Sequence, residues 1–139
     1  MFKNILVPLN FAKENKKALD IAFKIAMDDG SAVHLLHVIE IIADTTFTEF
    51  QDFYTKLEIK AQKNMNTLTA PRINNAMDMT STILFGDRVQ EILSFAEKKH
   101  IDLIIMNSHK INLDNPSQGW GTISYKIGIL SQCPVMLVK

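Results

Sequence analysis

Apolar residues in this sequence alternate between short continuous runs and stripes that recur every three or four positions. The first run, residues 4–9, is typical of a buried strand, and the stripe after it is typical of an amphipathic helix that ends before Gly30. The alternation continues along the whole sequence. It predicts four β-α units closed by a fifth strand, with strands at residues 4–9, 32–39, 79–84, 103–106 and 135–138.

The second helical stripe is the longest, because large apolar residues recur at three- and four-residue steps over residues 47–68. Pro71 ends this second helix. Asp87 is a good N-cap for the third helix, and the fourth helix is short. Right-handed crossovers between parallel strands make this order a three-layer α/β/α sandwich around an open, five-stranded, mostly parallel sheet. At 139 residues the chain is expected to be one α/β domain, residues 1–139.

Composition excludes several classes of protein. Apolar residues make up 47% of the chain and charged residues 22%, which is too apolar for a disordered chain. Fifteen Lys and Arg balance fifteen Asp and Glu, so the chain has no net positive charge that would attract a polyanion. We therefore expect no nucleic-acid partner.

The cellular setting follows from two further counts. Cys133 is the only cysteine and has no partner for an intramolecular disulfide, which favours a reducing compartment. The longest uncharged stretch, residues 127–138, spans 12 residues, whereas a membrane-spanning helix needs about 20. We therefore expect a cytoplasmic protein that is not embedded in a membrane.

Ligands of open parallel sheets bind outside the carboxyl ends of the strands, where the strand order reverses. If the first strand lies beside the fourth, that crevice is walled by residues 8–10 and by the segment after residue 106, the longest irregular segment after the second helix. His34 and His37 stand three positions apart on one strand, so they face opposite sides of the sheet and are interpreted as structural. The sequence contains no motif that arranges a nucleophile, and we expect no catalytic residues.

Four stretches carry a resemblance to a known family. They are KNILVPLN at residues 3–10, LLHV at 35–38, the run from GD at 86–87 to DLIIM at 102–106, and CPVMLV at 133–138. In their order and spacing they resemble the universal stress proteins over essentially the whole sequence, although that family usually has Asp where Asn10 stands. The resemblance implies a Rossmann-like fold, similar to that of the adenine nucleotide alpha hydrolases, with strand order 3-2-1-4-5.

The resemblance also implies a function. A universal stress protein is expected to be a stress-response regulator that binds ATP or AMP between the first and fourth strands, with magnesium accompanying ATP and at most slow hydrolysis. It further implies a homodimer that forms through the last strand, residues 135–138, and acts on protein partners that the sequence does not identify.

Nucleotide-binding members of that family carry a loop signature of Gly, two residues, Gly, nine residues, then Gly and Ser or Thr. Gly121 and Thr122 match its end, whereas Asn107 and Lys110 replace the first two glycines and ten residues separate Lys110 from Gly121. Lys110 is itself a cation that suits phosphate. The nucleotide-binding residues that the resemblance implies are Pro8, Asn10, Val38, Met106, His109, Lys110, Gly121 and Thr122.

The altered signature leaves two functions open. One is a regulatory module that binds an adenine nucleotide, and the other is a dimeric interaction module of the same family that binds none.

Overall fold

Strands and helices alternate along the chain as the apolar pattern predicts. The structure, a computed structural model, describes residues 1–42, 44–46, 48–72, 77–110, 112–115 and 122–139. Within these ranges the elements are β1 (Asn4–Pro8), α1 (Asn15–Asp29), β2 (Ala32–Glu40), α2 (Gln51–Thr69), β3 (Met79–Gly86), α3 (Arg88–Lys98), β4 (Leu103–Asn107), α4 (Ile123–Leu130) and β5 (Val135–Val138), with a short 3-10 turn, Ala70–Arg72, after α2.

The five strands form one sheet with the order β3-β2-β1-β4-β5, and all four neighbouring pairs are parallel. Ile5 of β1 lies opposite Val33 on one side and Leu103 on the other, so β1 is the central strand. The predicted three-layer fold and strand order are confirmed.

Each face of the sheet buries its own core, because successive side chains of a strand point to opposite faces. Ile5 and Val7 face α1 and α2, whereas Leu6 faces α3 and α4. All three side chains are fully buried. Strands covered on both faces read as continuous apolar runs, which is why the strands could be recognised.

The second helix begins later than the periodicity predicts. α2 starts at Gln51, and Phe50, which belongs to the predicted apolar stripe, lies before it and is 43% exposed. Phe47, the predicted start of the stripe, lies outside the described residues. Thr46 Oγ1 accepts the Glu49 N–H at 3.2 Å, and such local bonds compete with helix formation.

The amino ends of β1 and β4 are joined by one carboxylate. Asp102 accepts hydrogen bonds from the main-chain N–H groups of Lys3, at 2.8 Å, and Asn4, at 3.1 Å. Lys3 and Asp102 are 99 positions apart in sequence, so this contact closes the sheet at the end opposite the predicted crevice. In the part of the chain that the structure describes, no helix has the length and apolar character to span a membrane.

Candidate functional site

A cavity of about 250 Å³ opens at the carboxyl ends of β1, β2 and β4. It lies where the strand order reverses, because the chain runs from β1 to β2 on one side and β4 lies on the other side. Apolar side chains line much of the cavity, namely Pro8, Leu9, Leu36, Val38, Ile92, Met106 and Ile123. Polar groups from five elements, α1, β2, α3, β4 and α4, and from the adjoining loops complete it, as expected for a small-molecule site.

Six of the eight residues that the sequence assigns to the nucleotide site line this cavity: Pro8, Asn10, Val38, Met106, His109 and Thr122. Lys110 is exposed and is not among the described residues that line it. Gly121 lies outside the described residues. The geometry therefore brings together the strand-end residues of the predicted site and separates Lys110 from them.

Two asparagines shape the turn between β1 and α1. The Asn10 N–H donates to Asn15 Oδ1 at 3.1 Å, and Asn10 Oδ1 accepts from the Ala12 N–H at 3.0 Å. Asn15 is only 2% exposed, although it lines the cavity. Because the acceptor of Asn10 already serves the turn, the Nδ2 amide is the group of this side chain that could contact a ligand.

Asn15 is a site residue that the sequence analysis missed. Its signal is present in the sequence, because Asn15, Ala18, Leu19 and Ala22 follow the three- and four-residue steps of the buried face of α1. A polar residue at the start of an otherwise apolar stripe indicates a buried hydrogen-bonding group.

His37 also lines the cavity, beyond the structural role that the sequence predicts for it. Its Nδ1 lies 2.7 Å from the carbonyl oxygen of Leu9, so Nδ1 carries the proton and donates. Its ring packs on that of Phe11, with 4.5 Å between centroids. Phe11 has a φ of 63°, in the left-handed region. His34 contacts Asn4, Thr80 and Phe95 instead.

Burial lowers the pKa of His37; the hydrogen bond to Leu9 opposes the shift and the charge of Arg88 adds to it. The pKa of His34 is lowered too, mainly by burial. As the pH falls, these histidines become protonated in the unfolded chain at a higher pH than in the folded chain. Protonation therefore favours the unfolded state, and the free energy of unfolding should decrease below about pH 6.5.

Between pH 7.5 and pH 5.5 we expect the free energy of unfolding to fall less in His37→Asn than in the wild type. The asparagine amide keeps a donor near Leu9 but does not titrate. Urea midpoints at both pH values measure this difference. His34→Asn serves as the matched control for the second histidine. An unchanged pH dependence in His37→Asn would contradict the assignment of a lowered pKa to His37.

Three hydroxyl groups meet where β4 ends and α4 begins. Ser124 Oγ lies 3.0 Å from Ser108 Oγ and 3.3 Å from Thr122 Oγ1. Thr122 is the N-cap of α4 and accepts the Tyr125 N–H at 3.3 Å. Ser108 and Ser124 line the cavity but are 16 positions apart in sequence, so no local pattern could have paired them.

Asn107 and Lys110, which stand where the loop signature has glycines, do not adopt a left-handed backbone conformation. The non-glycine residues with positive φ within the described ranges are Phe11, Asp44 and His100, so neither Asn107 nor Lys110 is left-handed. Asn107 lines the cavity, and its Oδ1 is buried without a hydrogen-bond partner in the described part of the chain. A buried acceptor without a donor costs about 1–3 kcal/mol. Asn107 and Lys110 therefore carry their side chains without a left-handed backbone, at the cost of one unpaired oxygen among the described residues.

Individual side chains, rather than a cluster of charged groups, determine the electrostatic character of the cavity. Arg88, the first residue of α3, lines it, and its Nε lies 3.9 Å from Glu40 Oε2. Where residues are described, no three His, Cys, Asp or Glu side chains come together to hold a metal ion. An apolar wall beside amide, hydroxyl and imidazole groups suits a ligand with a flat apolar part and a polar tail.

Comparison with known proteins gives consistent matches. The sequence model of the Universal stress protein family matches residues 1–139. Universal stress protein YxiE of Bacillus subtilis (strain 168) is 26% identical over 152 residues, and the match covers 100% of both chains. The structure of hypothetical protein MJ0577 has a TM-score of 0.82 and 27% identity, covering 100% of this chain and 96% of that one. A universal stress protein from Archaeoglobus fulgidus, solved in complex with dAMP, has a TM-score of 0.71 at 14% identity, covering 99% and 98% of the two chains.

Proposed function

This chain belongs to the universal stress protein family, and on that premise we propose that it binds an adenine nucleotide, ATP or AMP, as a regulatory ligand. The observation that carries the proposal is the cavity of about 250 Å³ at the carboxyl ends of β1 and β4. Small-molecule sites usually measure roughly 300–1,000 Å³, so this cavity lies near the lower end of that range. The Archaeoglobus relative with bound dAMP supports the same ligand class.

We assign the parts of the nucleotide by chemistry. The adenine ring lies against the apolar wall formed by Pro8, Val38 and Met106. The ribose is bound by the Nδ2 amide of Asn10, and the phosphates extend towards His109 and Thr122. Gly121 stays a prediction from the sequence as a phosphate contact. Magnesium is expected with ATP as the counter-ion of its phosphates.

The proposed regulation depends on the two sides of the cavity that the bound nucleotide would contact. One side of the cavity is the β1-α1 turn, and another consists of Asn107, Ser108 and His109 at the end of β4 with Thr122, the N-cap of α4. A nucleotide that contacts both shifts the population of their relative arrangements in proportion to its differential affinity. The stress response would be controlled through this shift.

Calorimetric titration of nucleotide-stripped protein with ATP, ADP and AMP, with and without magnesium, tests the proposal. We expect dissociation constants in the micromolar range for ATP. No heat at millimolar nucleotide would overturn it, because a site built for the ligand should gain more than about 4 kcal/mol from it.

A second candidate function, a dimeric interaction module, is favoured by an apolar surface at one edge of the sheet. β5 is an edge strand, and the strand and the neighbouring helix α4 expose Tyr125, Ile129, Leu130 and Met136. Edge strands with exposed apolar neighbours are suited to pairing with another chain. We propose a homodimer through Val135–Val138, which either function could use, with protein partners still to be identified.

Two further proposals concern the setting of this function. We propose that residues 1–139 act as one domain, because all three core clusters of the described chain include residues of the one sheet. We also propose a cytoplasmic location, where the half-buried thiol of Cys133 stays reduced.

A further inference from the structure

A second cavity, of about 200 Å³, adjoins the candidate nucleotide site. The two cavities share four lining residues, Asn10, Asn107, Ser108 and His109. The second cavity adds Lys17 from α1 and Lys139, which follows β5. Glu14 is the carboxylate among its described lining residues, so lysine side chains outnumber acidic ones there.

The Lys139 ammonium is held at the boundary between the two cavities. Its Nζ donates to Ser108 Oγ at 3.2 Å and to the carbonyl oxygen of His109 at 3.0 Å. The Ser108 N–H donates to the carbonyl oxygen of Val138 at 2.8 Å, which ties the end of β4 to the end of β5. The Lys17 ammonium donates to the main-chain oxygen of Lys139 at 3.1 Å. These bonds fix Lys139 beside the hydroxyl cluster of Ser108, Ser124 and Thr122.

Both recorded partners of the Lys139 ammonium are neutral oxygens. Among the described residues its side chain forms no ion pair with an acidic side chain. An ammonium that has only neutral acceptors keeps its charge available for an anion, and charge-assisted bonds are about twice as strong as neutral ones. Lys110, the cation that the sequence suggests, is exposed and lines neither cavity among the residues described.

We propose that the second cavity is the subsite for the phosphate chain and that Lys139, rather than Lys110, is the cation that binds it. The inference rests on the proposed function, because adenine in the first cavity directs its phosphates to the four residues that the cavities share. Ser108, which lines both cavities, and Ser124, which lines the first beside it, donate their hydroxyl protons to phosphate oxygens, and Lys139 supplies the charge.

The test compares Lys139→Met with the matched control Lys110→Met by calorimetry, using ATP, AMP and adenosine. Both lysines are exposed, so neither substitution should prevent folding. We expect Lys139→Met to weaken ATP binding about tenfold or more while adenosine binding stays unchanged. Lys110→Met should bind all three ligands as the wild type does.

Other outcomes overturn the inference. Unchanged ATP affinity in Lys139→Met, or a loss confined to Lys110→Met, contradicts it. Equal affinity of the wild type for ATP and adenosine also contradicts it, while leaving the proposed adenine site intact.

Pyrophosphate, used alone, separates the two proposals. We expect it to shift the NMR amide signals of Ser108 and Ser124 in the wild type but not in Lys139→Met. If these shifts occur and no nucleotide binds, the phosphate subsite holds and the proposed nucleotide function fails. If neither pyrophosphate nor any nucleotide binds, both proposals fail.

Discussion

Replacing Tyr54 with alanine is expected to lower the free energy of unfolding by about 3–5 kcal/mol, as truncation of a buried aromatic side chain does. Tyr54 is fully buried under α2, with its ring edge-on to Phe85 at 6.2 Å between centroids. Its hydroxyl oxygen accepts the Ile42 N–H at 2.8 Å. Alanine would leave a cavity between α2 and the sheet, and would also remove the acceptor for this N–H group.

The neighbouring residue gives a matched control, because Phe53 is also aromatic and on α2 but is 47% exposed. Phe53→Ala should cost less than about 1 kcal/mol, as expected for a partly exposed side chain. Tyr54→Phe should cost about 1–2 kcal/mol, which isolates the hydroxyl bond. Urea denaturation measures all three variants. Similar losses in Tyr54→Ala and Phe53→Ala would show that Tyr54 is not the core residue of this helix.

Replacing Met136 with lysine is expected to convert the proposed homodimer into a monomer. Met136 lies within the edge strand β5 and is 38% exposed. If β5 pairs across a two-fold axis, each interface contains two copies of the new ammonium group. Burying like charges without partners costs several kcal/mol, so we expect the dimer dissociation constant to rise at least about a hundredfold.

Met27→Lys is the control for this substitution, because Met27 is 67% exposed on α1, away from β5. It should leave the dimer unchanged. Sedimentation equilibrium of the wild type and both variants across the micromolar range measures the dissociation constants. A monomeric wild type, or two variants that dimerise equally well, would contradict a dimer through β5.

The apolar pattern predicted the sheet well because the central strands are covered on both faces. Ile5, Leu6 and Val7 are consecutive and all fully buried, a run that no surface strand would carry. The start of α2 was mispredicted because periodicity does not register competing local bonds. The hydroxyl of Thr46 accepts the Glu49 N–H just before the helix, and Phe50 is the N-cap residue of α2.

The candidate site was predictable where it depends on strand ends and missed where it depends on tertiary contacts. Pro8 and Met106 lie on strands whose carboxyl ends meet in any parallel sheet of this order. Ser108 reaches Ser124 and Lys139 only because β4, α4 and β5 fold against one another. Lys110 is close in sequence to the cavity residue His109 yet lines no part of the cavity in the described chain.

The central position of β1 has a consequence for synthesis on the ribosome. β1 completes its pairing only when β4 is available, and Lys3 meets Asp102 across 99 positions of sequence. At about 5–20 residues per second, a nascent chain carries β1 with an edge of unpaired N–H and C=O groups for roughly 5–20 s. Such an edge can template misassociation with neighbouring chains. The supply of ribosome-bound chaperones that shield this edge would then limit the yield of this protein, above all when stress slows elongation.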